Sequence, residues 1–211
     1  MSRTLLIALC LGLVAICGGR ARADLVVNGG FETQTPTGCQ IPPSMTICSS
    51  PPSGWAISGD GVSIDAVFPN TGNYDMAFAT SSDDPNTGML SQSITTTIGQ
   101  NYTLTFFVQD EAGFPLSTLT VSYDGFTQTI TGDEAAFAYT QETFTVPGAG
   151  MANLVFQGIN DIAAWNLDDI SLTLQSVSVP EPSTIALLGS ALGMCFGLVA
   201  PVRRRDWRRI G

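Results

Sequence analysis

The side chains able to do chemistry in this 211-residue chain are carboxylates, and they stand without bases. Sixteen Asp and Glu residues lie between Asp24 and Val179, a stretch with no Lys, Arg or His; the whole chain contains no His. Activation of a serine by histidine or lysine is therefore unavailable. No basic side chain in that stretch can clamp a phosphate, and so acidic a surface repels nucleic acid and anionic lipid. Two kinds of carboxylate chemistry remain. One is calcium binding, which takes hard oxygen ligands. The other is glycoside hydrolysis, which needs two carboxylates facing each other roughly 5 to 9.5 Å apart.

The pairs Asp83-Asp84, Asp110-Glu111, Asp133-Glu134 and Asp168-Asp169 are adjacent in sequence, and adjacent residues of a strand point to opposite faces. None is by itself a catalytic pair, and the chain reads as a non-enzyme. A hydrolase built from carboxylates of different strands is the minor alternative. Asp83 to Gly88 reads as a solvated turn. Sugar binding would need aromatic platforms. Tyr74 and Phe114 lie beside turn residues and Trp165 begins a strand, so these three are candidate glycan contacts, with packing onto the sheet as the other reading. Trp55 and Tyr139 are further aromatics, and Trp55 reads first as core. Cys39 and Cys48 can close a short disulfide in an oxidising compartment, contributing about 2–3 kcal/mol.

The elements that must position these residues are strands. Tyr102, Leu104, Phe106 and Val108 alternate with Thr103, Thr105 and Phe107, the period-two pattern of a half-buried strand. Ile94, Thr96 and Ile98 form one face of the strand before it, with Gly99-Gln100 as the turn. Leu119–Tyr123 and Phe126–Ile130 flank Asp124-Gly125, a two-residue hairpin signal. Phe144 with Val146, Leu154 with Phe156, and Ile170 with Leu172 and Leu174 repeat the alternation. About nine or ten strands and no helix predict an all-β domain, an antiparallel β-sandwich of jelly-roll type, spanning 24–178.

Both ends of the chain read as targeting segments. Arg3, the apolar run Leu5 to Cys17 and Ala21-Arg22-Ala23 form a secretory signal peptide over 1–23. Thr184 to Val202 is uncharged, and as a helix these 19 residues span roughly 28 Å, enough to cross a bilayer. Arg203, Arg204, Arg205, Arg208 and Arg209 follow and mark the cytoplasmic side by the positive-inside rule. The domain before them is placed outside the cytoplasm.

Two resemblances follow from these residues. Val179-Pro180-Glu181-Pro182-Ser183, then an apolar helix, then an arginine cluster, resembles the PEP-CTERM sorting signal of Gram-negative bacteria over 179–211. That resemblance implies Pro180, Glu181 and Pro182 as the sorting motif and the membrane enzyme exosortase as partner. It also implies anchoring by the C-terminal helix before processing, a cell-surface or extracellular destination, and membership of an exopolysaccharide or biofilm system. DLVVNGGFET, Gly54-Trp55, GMLSQSITTTIGQNYTLTFFV and WNLDDISL occur in the order found in galactose-binding-like jelly rolls, a group that includes many carbohydrate-binding modules. That second resemblance implies first and last strands lying side by side with a structural calcium between them. Glu32 and Asp168 or Asp169 are the matching carboxylates. Together these imply glycan binding in an extracellular polysaccharide matrix, the alternative being a structural or protein-adhesive surface domain without sugar affinity.

Overall fold

The computed structural model describes residues 22–33, 50–113, 116–133 and 135–175. Cys39, Cys48, Phe114, most of the signal peptide, and the sorting motif, apolar helix and arginine cluster of 179–211 lie outside the described residues. Among the described residues no helix is long and apolar enough to cross a membrane.

Among the described residues ten strands form, in chain order β1 (Ala56–Ser58), β2 (Val62–Asp65), β3 (Asp75–Phe78), β4 (Met89–Thr95), β5 (Asn101–Asp110), β6 (Thr118–Tyr123), β7 (Phe126–Thr131), β8 (Phe137–Pro147), β9 (Met151–Ile159) and β10 (Trp165–Leu174). They make two five-stranded antiparallel sheets, ordered β1-β4-β9-β6-β7 and β2-β3-β10-β5-β8. The pairs β6/β7, β5/β8, β4/β9 and β3/β10 are nested. The chain is thus one long hairpin, rolled so that successive arms fall in alternate sheets, which is jelly-roll topology. Its tip is Asp124-Gly125, with φ of 37° and 82°, the double positive φ of a type I′ turn.

Alternation sets the core. Leu104, Phe106 and Val108 of β5 face Leu154 and Phe156 of β9, and all five are fully buried. Phe106 meets Phe156 edge-on at 5.1 Å between ring centroids, a geometry that adds about 0.5–1.5 kcal/mol to the area buried. Trp55 is core, tilted against Phe31 and Phe156, with its indole N–H on the Asn28 carbonyl. Ile98 departs from the alternation. β4 ends at Thr95, Thr96 turns its hydroxyl to Tyr123 and the Gly150 carbonyl, and Ile98 emerges into solvent.

The N-terminal segment completes the second sheet. β10 pairs with β5 along its length and with β3 over Trp165–Leu167. Beyond that point its other edge is taken by residues 24–29. Leu25 N–H bonds Leu172, Ile170 N–H bonds Gly29, and Asp24 bridges Thr173. First and last segments therefore lie side by side. Gln92 fastens the same segment from the first sheet, accepting from Val27 N–H at 2.8 Å and donating to the Val27 carbonyl at 2.9 Å. A Cβ on Gly29 would stand 1.9 Å from the Ile170 carbonyl oxygen. Gly29→Ala is therefore expected to lift this segment off β10 and to cost about 1–3 kcal/mol, as overpacking does. The urea midpoint measures it, and an unchanged midpoint would sink the close docking.

Candidate functional site

The site begins with a flaw in the alternation of β10. Leu167 and Ile170 both face the core but stand three apart, so one residue is extra. The ladder to β5 shifts register between Asp168 and Ser171, and Asp169 adopts a φ of 51°. This is a β-bulge, and it re-aims the two carboxylates. Both now reach the loop between β2 and β3. Asp168 Oδ2 accepts the backbone N–H groups of Asn70 and Thr71 at 2.9 and 3.0 Å. Asp169 accepts from the Asn70 amide and the Thr71 hydroxyl, each at 2.8 Å. Glu32 grips the same loop further on, taking Asn73 and Tyr74 N–H at 2.7 and 3.0 Å and the Asn73 amide at 2.9 Å.

Glu32, Asp168 and Asp169 are thus brought to one short loop, Asn70-Thr71-Gly72-Asn73-Tyr74. Burial pushes the Glu32 carboxyl up, but its hydrogen bonds to Asn73 and Tyr74 outweigh this and hold it below the usual carboxylate range. Asp168 is pushed up to about 6, by burial first and by the charge of Asp169, against the N–H groups of Thr71, Asp169 and Asn70. Among the described residues no three His, Cys, Asp or Glu side chains form a group that could hold a metal ion. The donor chemistry nonetheless suits calcium, because the set is all oxygen and no base lies near. Each Asp169 oxygen and Glu32 Oε2 receives one hydrogen bond, leaving a lone pair on each.

The second feature lies next to the loop, on the outer face of the second sheet. Met76, Phe78, Leu167, Phe106 and Val108 point to the core, so Asp75, Ala77, Asn166, Phe107 and Gln109 point out. Asp75, Ala77, Asn166 and Asp168 are nevertheless buried. Asp75 Oδ2 accepts the Tyr139 hydroxyl of β8 at 2.9 Å, and Asn166 donates to Glu111 at 2.8 Å. Among the described residues Asp75 Oδ1 and Asn166 Oδ1 are the buried side-chain atoms that lack a hydrogen-bond partner. A buried acceptor left unmade costs about 1–3 kcal/mol, so this face carries a polar cost that its own side chains do not offset. Phe107 and Tyr139, both half-buried, supply rings beside them. Burial, then the charges of Asp65, Asp168 and Glu111, push Asp75 up to about 7 against the Tyr139 bond. Burial and the Asp75 charge raise Tyr139 in turn.

The aromatic candidates fare differently. Trp165 is fully buried, its N–H on the Ile159 carbonyl and its ring against Phe137, so it cannot meet a ligand. Its place in β10 turns it to the core, opposite Asp110. Tyr74 is half-buried and packs against the core. Tyr139, read in the sequence only as one aromatic among several, is the ring on the polar face. Asp83-Asp84 lies in the expected turn, with Asp84 accepting the Asn86 N–H at 2.9 Å.

No protein-family model matches the chain, and no curated protein matches it. Solved structures do. TmCBM61, determined in complex with β-1,4-galactotriose, matches at a TM-score of 0.49 and 16% identity, over 72% of this chain and 99% of that one. The CBM22-1 xylan-binding domain from Paenibacillus barcinonensis Xyn10C matches at 0.45 and 17%, over 76% and 100%. The K3 cleaved adhesin domain of Lys-gingipain from Porphyromonas gingivalis matches at 0.40 and 19%, over 58% and 93%. At these identities the likeness is one of fold.

The raised Asp75 carboxyl has a consequence for stability. A group whose folded pKa lies above its unfolded value contributes stability that is complete below the unfolded pKa, about 4, and lost as pH rises through the folded one. In chelator, the domain is therefore expected to melt at a higher temperature at pH 5 than at pH 8, and Asp75→Asn should flatten that slope. A slope unaltered by Asp75→Asn, measured by calorimetry, would refute the assignment.

Proposed function

We propose that this chain is an exported surface protein that binds glycan chains of an extracellular polysaccharide, without catalysis, on the outer face of the second sheet. The half-buried Tyr139 and Phe107 rings on that face carry the reading, because they offer apolar surface for a pyranose face. The part-exposed Gln109 and Glu111 beside them offer amide and carboxylate groups to sugar hydroxyls. The absence of His, Lys and Arg from 24–202 supports a non-catalytic role. In this proposal residues 1–23 direct export. Residues 179–211 anchor the chain and, through Pro180-Glu181-Pro182, present it to exosortase. Cys39 and Cys48 close a disulfide.

The expected calcium belongs to the same proposal. Glu32 and Asp169 would hold it, with backbone oxygens completing the shell. The ion would supply the positive charge that this crowd of carboxylates otherwise obtains only from hydrogen-bond donors and protons. Chelation is then expected to lower the melting temperature by several degrees, with calcium restoring it. The shift should vanish in Glu32→Gln and in Asp169→Asn. Equal melting curves with calcium and with chelator would remove the ion from the proposal.

The glycan reading is tested by retention of the oxidised protein on gels containing the host's own exopolysaccharide. Saturable retardation is expected, weakened tenfold or more by Phe107→Ala and by Tyr139→Ala in protein that still melts cooperatively. A folded parent that runs unretarded would sink the reading for that polymer and favour the structural or adhesive role.

A further inference from the structure

The two ends of the sandwich differ in charge. At one end lie the loops that follow β1, β3, β5, β7 and β9, and they contain Asp60, Asp83, Asp84, Glu111, Asp133 and Asp161. At the other end are the turns after β4 and β8, Thr96–Gln100 and Gly148–Gly150, which contain no charged residue; the charges beside them, Arg22 on the Leu174 carbonyl and Asp24 opposite Thr173, are of opposite sign. The hairpin tip at Asp124 points the same way but stops short. Tyr123 pairs with Leu154, three residues before β9 reaches Met151, or about 10 Å at strand rise. The β2–β3 loop is held back at the level of Asp168.

Apolar side chains protrude beside these turns. Ile98 and Met151 are 77% and 78% exposed, and Leu174 at the end of β10 is 40% exposed, whereas the exposed Leu116 and Ile162 of the opposite end stand in the loops that carry Glu111 and Asp161. The turns are tied together. Thr96 N–H bonds the Gly150 carbonyl and Gly148 N–H bonds the Gln100 carbonyl, both at 2.7 Å, and the Thr97 N–H takes the Tyr102 hydroxyl at 2.8 Å. A Cβ on Gly150 would lie 3.7 Å from Ile98 Cδ1, so Ile98 rests over this second turn. The chain also leaves here, since Gln175 N–H bonds the Asn101 carbonyl beside the same turns. Nine residues later the uncharged run 184–202 begins.

We infer that this end of the sandwich rests on a lipid bilayer, with Ile98 and Met151 in the interface and the acidic loops turned away. The inference stands on the reading of 184–202 as a membrane segment. Two physical terms agree on it. Anionic lipid repels the carboxylate-bearing end and tolerates the neutral one, and exposed Ile and Met gain free energy when the interface takes them from water.

The test uses the full chain in vesicles of phosphatidylethanolamine and phosphatidylglycerol, with and without brominated acyl chains. Flotation of the parent with the vesicles is checked first. The added tryptophans of Ile98→Trp and Met151→Trp are expected to emit at shorter wavelength and to lose more than half of their emission to the brominated chains. The added tryptophan of Asp84→Trp, at the acidic end, should lose none beyond the parent. Equal quenching at the two ends overturns the inference alone. Failure of the parent to float overturns the membrane segment and the inference with it.

Discussion

The structure turns on how β10 spends its two edges. One edge pairs with β5 throughout; the other is divided between β3 and the N-terminal segment. The division falls at the bulge. If β10 ran straight, Asp168 and Asp169 would lie on opposite faces and one would point into the core. The extra residue keeps Leu167 and Ile170 inside and delivers both carboxylates to the Asn70–Tyr74 loop. Closing the roll, docking the N-terminal segment and shaping the site are therefore consequences of one local irregularity.

The second organising fact is charge without countercharge. No basic side chain lies between Asp24 and Val202, so each carboxylate must find another partner. Glu32 and Asp168 take backbone N–H groups, Asp110 takes Ser117, Asn160 and two N–H groups of its own turn, and Asp75 takes one phenol. At Glu32 the donors outweigh burial and hold the carboxyl down; at Asp168 and Asp75 burial outweighs them and the pKa climbs. The polar face is the place where this arrangement is left incomplete.

Much of this was legible in the sequence. The period-two runs located the strands from β4 onward, and Asp124-Gly125 named the turn at the tip of the roll. The resemblance matches Glu32 with Asp168 or Asp169 as calcium ligands; the structure shows all three accepting hydrogen bonds from the Asn70–Tyr74 loop. The bulge was missed, although the three-residue step from Leu167 to Ile170 signals it. Trp165 was ambiguous because the strand's first residue can point either way, and only its pairing with Asp110 turns it inward. Ile98 continued an apolar alternation that the backbone had already left. The polar face could not be read at all. Asp75, Tyr139 and Asn166 come from separate strands and Glu111 from the loop after β5, and alternation tells which residues share a face without telling which face is covered.

The central position of β10 also bears on force. A domain held through residues beyond Gln175, with its load on the sheet face, would feel tension along the axis of this strand. β10 lies between β5 and the β3/N-terminal edge, so that tension shears its hydrogen bonds on both sides together instead of peeling them one at a time. An edge strand such as β8 or β2 in the same position would unzip. The chain thus leaves the sandwich from a strand paired on both sides.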